Sequence, residues 1–362
     1  MRTINTALLF ILLSASIAGA QPFAYITNAA SDNVSVINTQ TNEVIATVAV
    51  GEVPQGISVS PDSQFVYVIN SSDDSISVIS TADNTVIETF PVVGSMIPAR
   101  VAVTPDGAFL YVSGAQQNIV TVIRTSDFTV VDTILVPGNP INIAPSPDGQ
   151  FVYTANFFGD TVSAISTANN SVVATIPVGN SPSGIEVTPD SSRVYVANIL
   201  GDTVNVIDTS TQNVTATIPT GGSGPNFLAI SSDGRFVYVT LSNSNLLSII
   251  DTAFNIEVNT IPVGMVPFGV DVTTDGSLVY VANILDNNVS VISTAQQRVI
   301  RTVGVGENPF AGGPFITNEV PELAVPTLGE WSVIALVGIL GISGLIAIKR
   351  KKVLESSISN ER

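Results

Sequence analysis

Residues 182–219 read PSGIEVTPDSSRVYVANILGDTVNVIDTSTQNVTATIP. Four short runs make up this stretch: one led by Pro182, one through Tyr195, one ending at Thr209 and one ending at Pro219. Each is of strand length and rich in Val, Ile, Thr or Tyr. Val204-Asn205-Val206-Ile207 alternates apolar and polar residues, the period of a half-buried strand. Asp190-Ser191 lies between the first two runs and supplies turn chemistry.

The unit recurs along the chain. All seven tyrosines occupy its second run: Tyr25, Tyr67, Tyr111, Tyr153, Tyr195, Tyr238 and Tyr280, at spacings of 42, 44, 42, 42, 43 and 42 residues. A residue type confined to one slot at that period marks a repeat array. In other copies the first turn reads Asp106-Gly107, Asp148-Gly149, Asp233-Gly234 and Asp275-Gly276, with Asp62-Ser63 in the same slot. These pairs suit turns that need positive φ. Thr39, Thr81, Thr125, Thr167, Thr209, Thr252 and Thr294 also share one slot. Their hydroxyls are expected to satisfy backbone groups at strand ends. The tyrosine rings are expected to fill the space between units while their hydroxyls find partners. No stretch between 22 and 318 has helical periodicity.

Four strands per unit and seven units predict an all-β fold, a seven-bladed β-propeller over residues 22–318 with four antiparallel strands per blade. The chain enters at the Tyr25 strand, with no Pro-led strand before it. It leaves through PFAGGPFI, residues 309–316, with no Tyr strand after it. Pairing this C-terminal strand with the N-terminal one would complete a blade, close the ring and remove an open edge.

The motif set Tyr-Val-x-Asn, Val-x-Val-Ile-[Asp/Asn/Ser]-Thr, Ala-Thr-Ile-Pro-Val-Gly and Pro-x-Gly-Ile-x-Val-[Thr/Ser]-Pro-Asp resembles the YVTN β-propeller repeat family. The resemblance covers residues 23 to 316 and implies a propeller of an exported or surface protein. It implies no particular reaction, because such a family shares an architecture.

Both ends read as addresses. Residues 1–20 have the form of a signal peptide: Arg2, an apolar core from Ala7 to Leu13, and Ala18-Gly19-Ala20 as a cleavage site. Residues 319–331 form a linker ending in Val325-Pro326-Thr327-Leu328-Gly329-Glu330-Trp331. Residues 332–348 carry no charge, and residues 349–362 begin with Lys349-Arg350-Lys351-Lys352. The apolar segment is long enough for a marginal transmembrane helix, with the basic tail held in the cytoplasm. The order of motif, span and basic tail resembles bacterial C-terminal sorting signals of the PEP-CTERM type, in the variant beginning Ile-Pro-Thr-Leu. Pro326, Thr327, Leu328, Glu330 and Trp331 match that motif, and Val325 replaces its Ile. The resemblance implies processing by an exosortase-type enzyme; a permanent single-span anchor is the other reading.

Composition narrows the chemistry. The sequence has no cysteine and no histidine, and its only tryptophan is Trp331. Disulfides, Ser-His-Asp or Cys-His catalysis and His-ligated metals or haem are therefore ruled out. Residues 22–318 hold 24 acidic residues against six arginines and no lysine, a net charge of −18. Such a surface repels nucleic acid and favours solubility.

Two groups of residues are candidate sites. Asp32, Asp74, Asp160, Asp202 and Asp286 follow the Tyr strands. They read either as turn residues or as oxygen ligands for Ca²⁺ or another divalent cation. No other cofactor is implied. The second group departs from the repeat in the Pro-led strand. Its third position is Gly56, Arg100, Asn142, Gly184, Phe227, Gly269 and Ala311, and its fifth is Ser58, Ala102, Ala144, Glu186, Ala229, Asp271 and Gly313. If that strand is innermost, Arg100, Asn142, Glu186, Phe227 and Asp271 lie near the channel. A charge in a small-residue slot needs a partner or a ligand.

The reading is of an exported, envelope-anchored platform for binding or adhesion, with a glycan, protein or matrix ligand and no covalent chemistry. A metal-dependent, lactonase-like hydrolase using carboxylates alone is one alternative, and a structural surface-layer subunit is another.

Overall fold

In every unit the Tyr strand has a partner along each edge and lies between neighbouring blades, so its Val and Ile side chains are buried on both faces. Tyr25, Tyr111, Tyr153, Tyr195 and Tyr280 are among the largest fully buried side chains. The coordinates are a computed structural model that describes residues 22–92 and 97–318. Among these, six sheets of four antiparallel strands and one of three follow one another along the chain. We number the blades 1 to 7 in chain order: 23–49, 54–91, 98–135, 140–177, 182–219, 225–262 and 267–304. Each is a meander, with sequential strands adjacent.

Blade 1 takes its fourth strand from the far end of the chain. Tyr25 N–H donates to Phe315 O (2.9 Å), Phe310 N–H to Thr27 O (2.8 Å) and Thr317 N–H to Phe23 O (2.9 Å). Ala24 faces Ile316 and Asn28 faces Pro309 in antiparallel bridges. On its other side the same segment meets blade 2: Ile57 N–H donates to Gly312 O, and Val59 N–H to Pro314 O. The ring closes as the sequence predicts.

The Pro-led strands are innermost, since those of successive blades pack together while the outermost strands of neighbouring blades barely touch. Close approach explains the small residues there. A Cβ on Gly184 would collide with the carbonyl oxygen of Asn226 in the next blade, and one on Gly269 with that of Ala311.

The repeated polar residues tie the strands and blades together. Thr39, Thr81, Thr125, Thr167, Thr209, Thr252 and Thr294 each donate a hydroxyl hydrogen bond to a backbone carbonyl at the first turn or, for Thr39, at Pro22. Tyrosine hydroxyls reach across to the next blade. Tyr25 donates to Asn84 Oδ1 (2.7 Å), Tyr111 to Asn170 (2.7 Å), Tyr195 to Asn255 (2.8 Å) and Tyr280 to Asn42 (2.6 Å), while Tyr153 accepts from Gln212 Nε2 (3.1 Å). All five partners have positive φ at an outer hairpin turn, so one residue both turns its own chain and receives its neighbour. Opposite Tyr67 the slot holds Phe128, which stacks on Phe90 instead.

Among the described residues the single helical element is the 3₁₀ turn Ile284–Asp286, and no helix is long and apolar enough to cross a membrane. The expected signal peptide (1–20), the linker and sorting motif (319–331), the apolar segment (332–348) and the basic tail (349–362) lie outside the described residues.

Tyr195→Phe removes one inter-blade hydrogen bond and leaves Asn255 Oδ1 without its donor. It is expected to lower stability by about 1 kcal/mol, read as a shift in urea midpoint. Tyr67→Phe, with no acceptor opposite it, should shift the midpoint by less than half as much.

Candidate functional site

The third and fifth positions of the inner strands line the channel, and the polar departures from the repeat come together there. Asn142, Glu186, Phe227 and Asp271 share the wall of one cavity of about 550 Å³. Pro147, Pro189, Ser232 and Asn318 stand at its rim, so it opens on the face formed by the turns after the inner strands. Its volume is that of a small-molecule site.

The two carboxyl groups occupy the same strand position in blades 5 and 7, with Ala229 of blade 6 between them. Their partners differ. Asp271 Oδ2 accepts the N–H groups of Phe315 and Ile316 (both 2.8 Å), and Oδ1 accepts that of Val272 (2.8 Å). Phe315 and Ile316 belong to the closing segment, so Asp271 latches the ring shut. Burial still pushes its carboxyl up to about 6, against the pull of those three donors. Glu186 has a single long bond from its neighbour Val187 N–H (3.4 Å). Burial pushes it up to about 8, and the charge of Asp271 adds to the shift.

Arg100 stands apart from the cavity wall. Its guanidinium lies 4.9 Å from the ring centre of Phe227 in blade 6, 5.9 Å from Phe268 in blade 7 and 5.1 Å from Phe310 in the closing segment. Nη1 donates to its neighbour Ala99 O (2.6 Å), and buried Nε has no partner. Burial pulls the group down to about 9, which leaves it charged at neutral pH. Arg100 of blade 3 thus reaches across the axis to blades 6, 7 and 1 through cation–π contacts. Phe227 both lines the cavity and carries Arg100 over its ring.

Phe268 and Phe310 were outside the predicted set. The signal for them was in the second position of the inner strand: Gln55, Ala99, Ile141, Ser183, Asn226, Phe268 and Phe310. Two consecutive phenylalanines in a series that otherwise has no aromatic residue follow the same logic as the departures at positions three and five.

The predicted metal group is not brought together. Asp32, Asp74, Asp160 and Asp202 sit one per blade at φ of 49° to 51°, on the face opposite the cavity. Each carboxylate accepts a backbone N–H from the connection into the next blade: Val53 (2.9 Å), Ile97 (2.7 Å), Ser181 (2.7 Å) and Gly224 (2.9 Å), respectively. Asn118, Asn245 and Asn287 do the same for Asn139, Val266 and Asn308. Asp286 is one residue out of this register and accepts Met265 N–H (2.8 Å). Val53, Ile97 and Val266 themselves have φ of 52°, 56° and 52°, a conformation that β-branched residues rarely adopt. The side-chain acceptors hold that strained connection in place. Among the described residues no three acidic side chains form a group able to hold a metal ion.

The sequence matches the family described as "Lactonase, 7-bladed beta-propeller" over residues 19–130 and 168–255. It matches the IPTL-CTERM motif over residues 324–350. No curated relative matches the chain. Hydrazine synthase from Kuenenia stuttgartiensis is similar in structure, with a TM-score of 0.69 at 23% identity over 79% of this chain and 99% of that one. A functionally unknown protein from Desulfotomaculum acetoxidans DSM 771 gives 0.72 at 17% identity, over 82% and 99% of the two chains. Dihydro-heme d1 dehydrogenase NirN, in complex with DHE, gives 0.60 at 16% identity, over 77% of this chain and 63% of that one. These likenesses establish the fold and carry nothing about chemistry.

The raised pKa of Glu186 has a defined effect on stability. Between its ordinary value of 4.5 and about 8, the folded chain holds a proton that the unfolded chain has lost. Stability therefore falls as pH rises through that window, and the loss is complete above it. Asp271 contributes the same way only up to about 6. From about pH 6 to about pH 8 the melting temperature should drop by roughly 3 °C, and Glu186→Gln should remove most of that drop.

Proposed function

The chain belongs to the seven-bladed lactonase propeller family, and we propose that within it the chain serves as an exported, envelope-anchored binding module without catalysis. Its ligand would enter the cavity at the channel mouth. The observation that carries this reading is the contrast between Glu186 and every other acidic group near the axis. The turn carboxylates and Asp271 are engaged by backbone N–H groups, whereas Glu186 faces the cavity with one long bond. A half-buried carboxyl with spare acceptor capacity is what a recognition site presents to a ligand.

The C-terminal IPTL-CTERM match supports export and surface association. Anchoring by residues 332–348, processing by an exosortase-type enzyme, and a glycan, protein or matrix ligand belong to the same proposal. A hydrolytic reading would draw on Glu186 and Asp271 as its carboxyl pair. It is the weaker one, because both oxygens of Asp271 are committed to the backbone of the closing segment and of Val272.

The test uses the full chain, solubilised in detergent and immobilised, against a panel of bacterial surface polysaccharides and matrix proteins. Saturable binding by at least one of them is expected. Ala229→Trp, which fills the cavity between Glu186 and Asp271, should abolish that binding without changing the circular dichroism spectrum. Unchanged binding in the Ala229→Trp protein would contradict the proposed site. Hydrolysis of γ- or δ-lactones above the buffer rate, with Ca²⁺ or Zn²⁺ added, would contradict the absence of catalysis.

A further inference from the structure

Among the described residues Glu186 has no counter-ion. No arginine lines its cavity, and residues 22–318 contain neither lysine nor histidine. Arg100 is held on its own side of Phe227 by the three aromatic rings. Arg124 pairs with Asp127 and Arg301 with Glu43, Arg193 donates to Thr252 O, Arg235 lies over Phe236, and Arg298 begins the outermost strand of blade 7. The charge nearest in effect is Asp271, which repels. A half-buried carboxylate without a partner is unfavourable, and an arriving cation would offset that cost.

The rest of the wall limits which cation fits. Ile143, Ile185, Val270 and Ala229 line the same cavity as the carboxyl and supply hydrocarbon to its wall. Ca²⁺ takes six to eight oxygen ligands and Mg²⁺ six, and among the described residues no three acidic side chains come together to hold a metal ion. An alkylated ammonium needs one or two carboxylates and apolar contact for its methyl or methylene groups. The cavity, at about 550 Å³, has room for such a group together with the molecule that bears it.

From the cavity, its hydrocarbon wall and the unpaired carboxyl, we infer that Glu186 is the counter-ion for an organic ammonium group carried by the ligand. This rests on the reading of the cavity as the ligand site. It makes the natural ligand an amine-bearing molecule, such as an amino-substituted glycan or a peptide with a cationic side chain.

Choline and its neutral isostere 3,3-dimethylbutan-1-ol separate charge from shape, and choline has no group that titrates in the working range. The measurement is isothermal titration of the full chain in detergent micelles at about pH 7 and about pH 9. Asp271 is ionised across that range, and Tyr195, the cross-strand partner of Glu186, is kept neutral by burial. Arg100 titrates near the upper end behind Phe227, and does so equally in the wild type and in Glu186→Gln. Choline is expected to bind at least about tenfold more tightly than the alcohol at the higher pH, and to lose roughly tenfold on going to the lower. Glu186→Gln, which removes a buried charge and should fold normally, is expected to lose both the preference for choline and the pH dependence. Equal binding of the two probes, no binding of choline at about pH 9, or a pH dependence that survives Glu186→Gln would overturn the inference. If choline fails while polysaccharide or protein binding still depends on an open cavity, as reported by Ala229→Trp, the ammonium assignment falls and the site stands.

Discussion

A ring of β-sheets has to be closed by something other than its own continuity, and here that is a terminal segment paired into blade 1 and tied to blade 7 by one carboxylate. Residues 309–317 pair with the first strand of blade 1 and lie against the inner strand of blade 2. The segment is not a regular strand: Ala311 has φ of 45°, and Gly313 has φ of 136°. Its irregular course leaves N–H groups at Phe315 and Ile316 turned toward blade 7, and Asp271 Oδ2 accepts both. Burying that carboxylate is unfavourable, as its raised pKa shows, yet leaving two buried donors unpaired would be unfavourable too. Arg100 reinforces the seam from across the axis, since two of its three aromatic partners, Phe268 and Phe310, stand on either side of it.

The same economy of polar groups runs around both faces. On one face, Asp or Asn at each hairpin accepts an N–H from the connection to the next blade. On the other, Asp62, Asp106, Asp148, Asp190, Asp233 and Asp275 each accept a Ser or Thr hydroxyl two residues back. Much of the net charge of −18 is therefore turn chemistry repeated by the symmetry of the fold. Solubility follows from it, and a charge with no such duty becomes conspicuous. Glu186 is such a charge, and it lines the channel cavity with one long bond.

The tyrosine spacing and the unmatched ends made the architecture legible before any coordinates, because a repeat forces each residue to answer the same structural demand seven times. The threonine slot was legible for the same reason. The departures at Asn142, Glu186, Phe227 and Asp271 marked the cavity, since polarity on an inner strand has few places to go. Sequence could not separate Glu186 from Asp271, which stand at one strand position. Only the path of the closing segment gives Asp271 its donors. Nor could it assign Asp32, Asp74, Asp160 and Asp202, because whether neighbouring oxygens converge depends on the diameter of the ring. Arg100 was visible as an anomaly, but its partners come from three other blades, and no local pattern in the sequence reports contacts across an axis.

Closure by the terminal segment is tested most directly by a disulfide across the seam. Ala24 and Ile316 face each other in an antiparallel bridge, flanked by the bonds from Tyr25 to Phe315 and from Thr317 to Phe23. That makes them a non-hydrogen-bonded pair with Cα atoms about 4.5 Å apart, within disulfide range. The native chain has no cysteine, so the double substitution Ala24→Cys/Ile316→Cys has a single possible intramolecular bridge. The account predicts that the oxidised protein shows no free thiol, runs as a closed loop on non-reducing gels and melts higher than its reduced form. Two free thiols after oxidation of the folded protein, with no change in melting temperature on adding reductant, would contradict it.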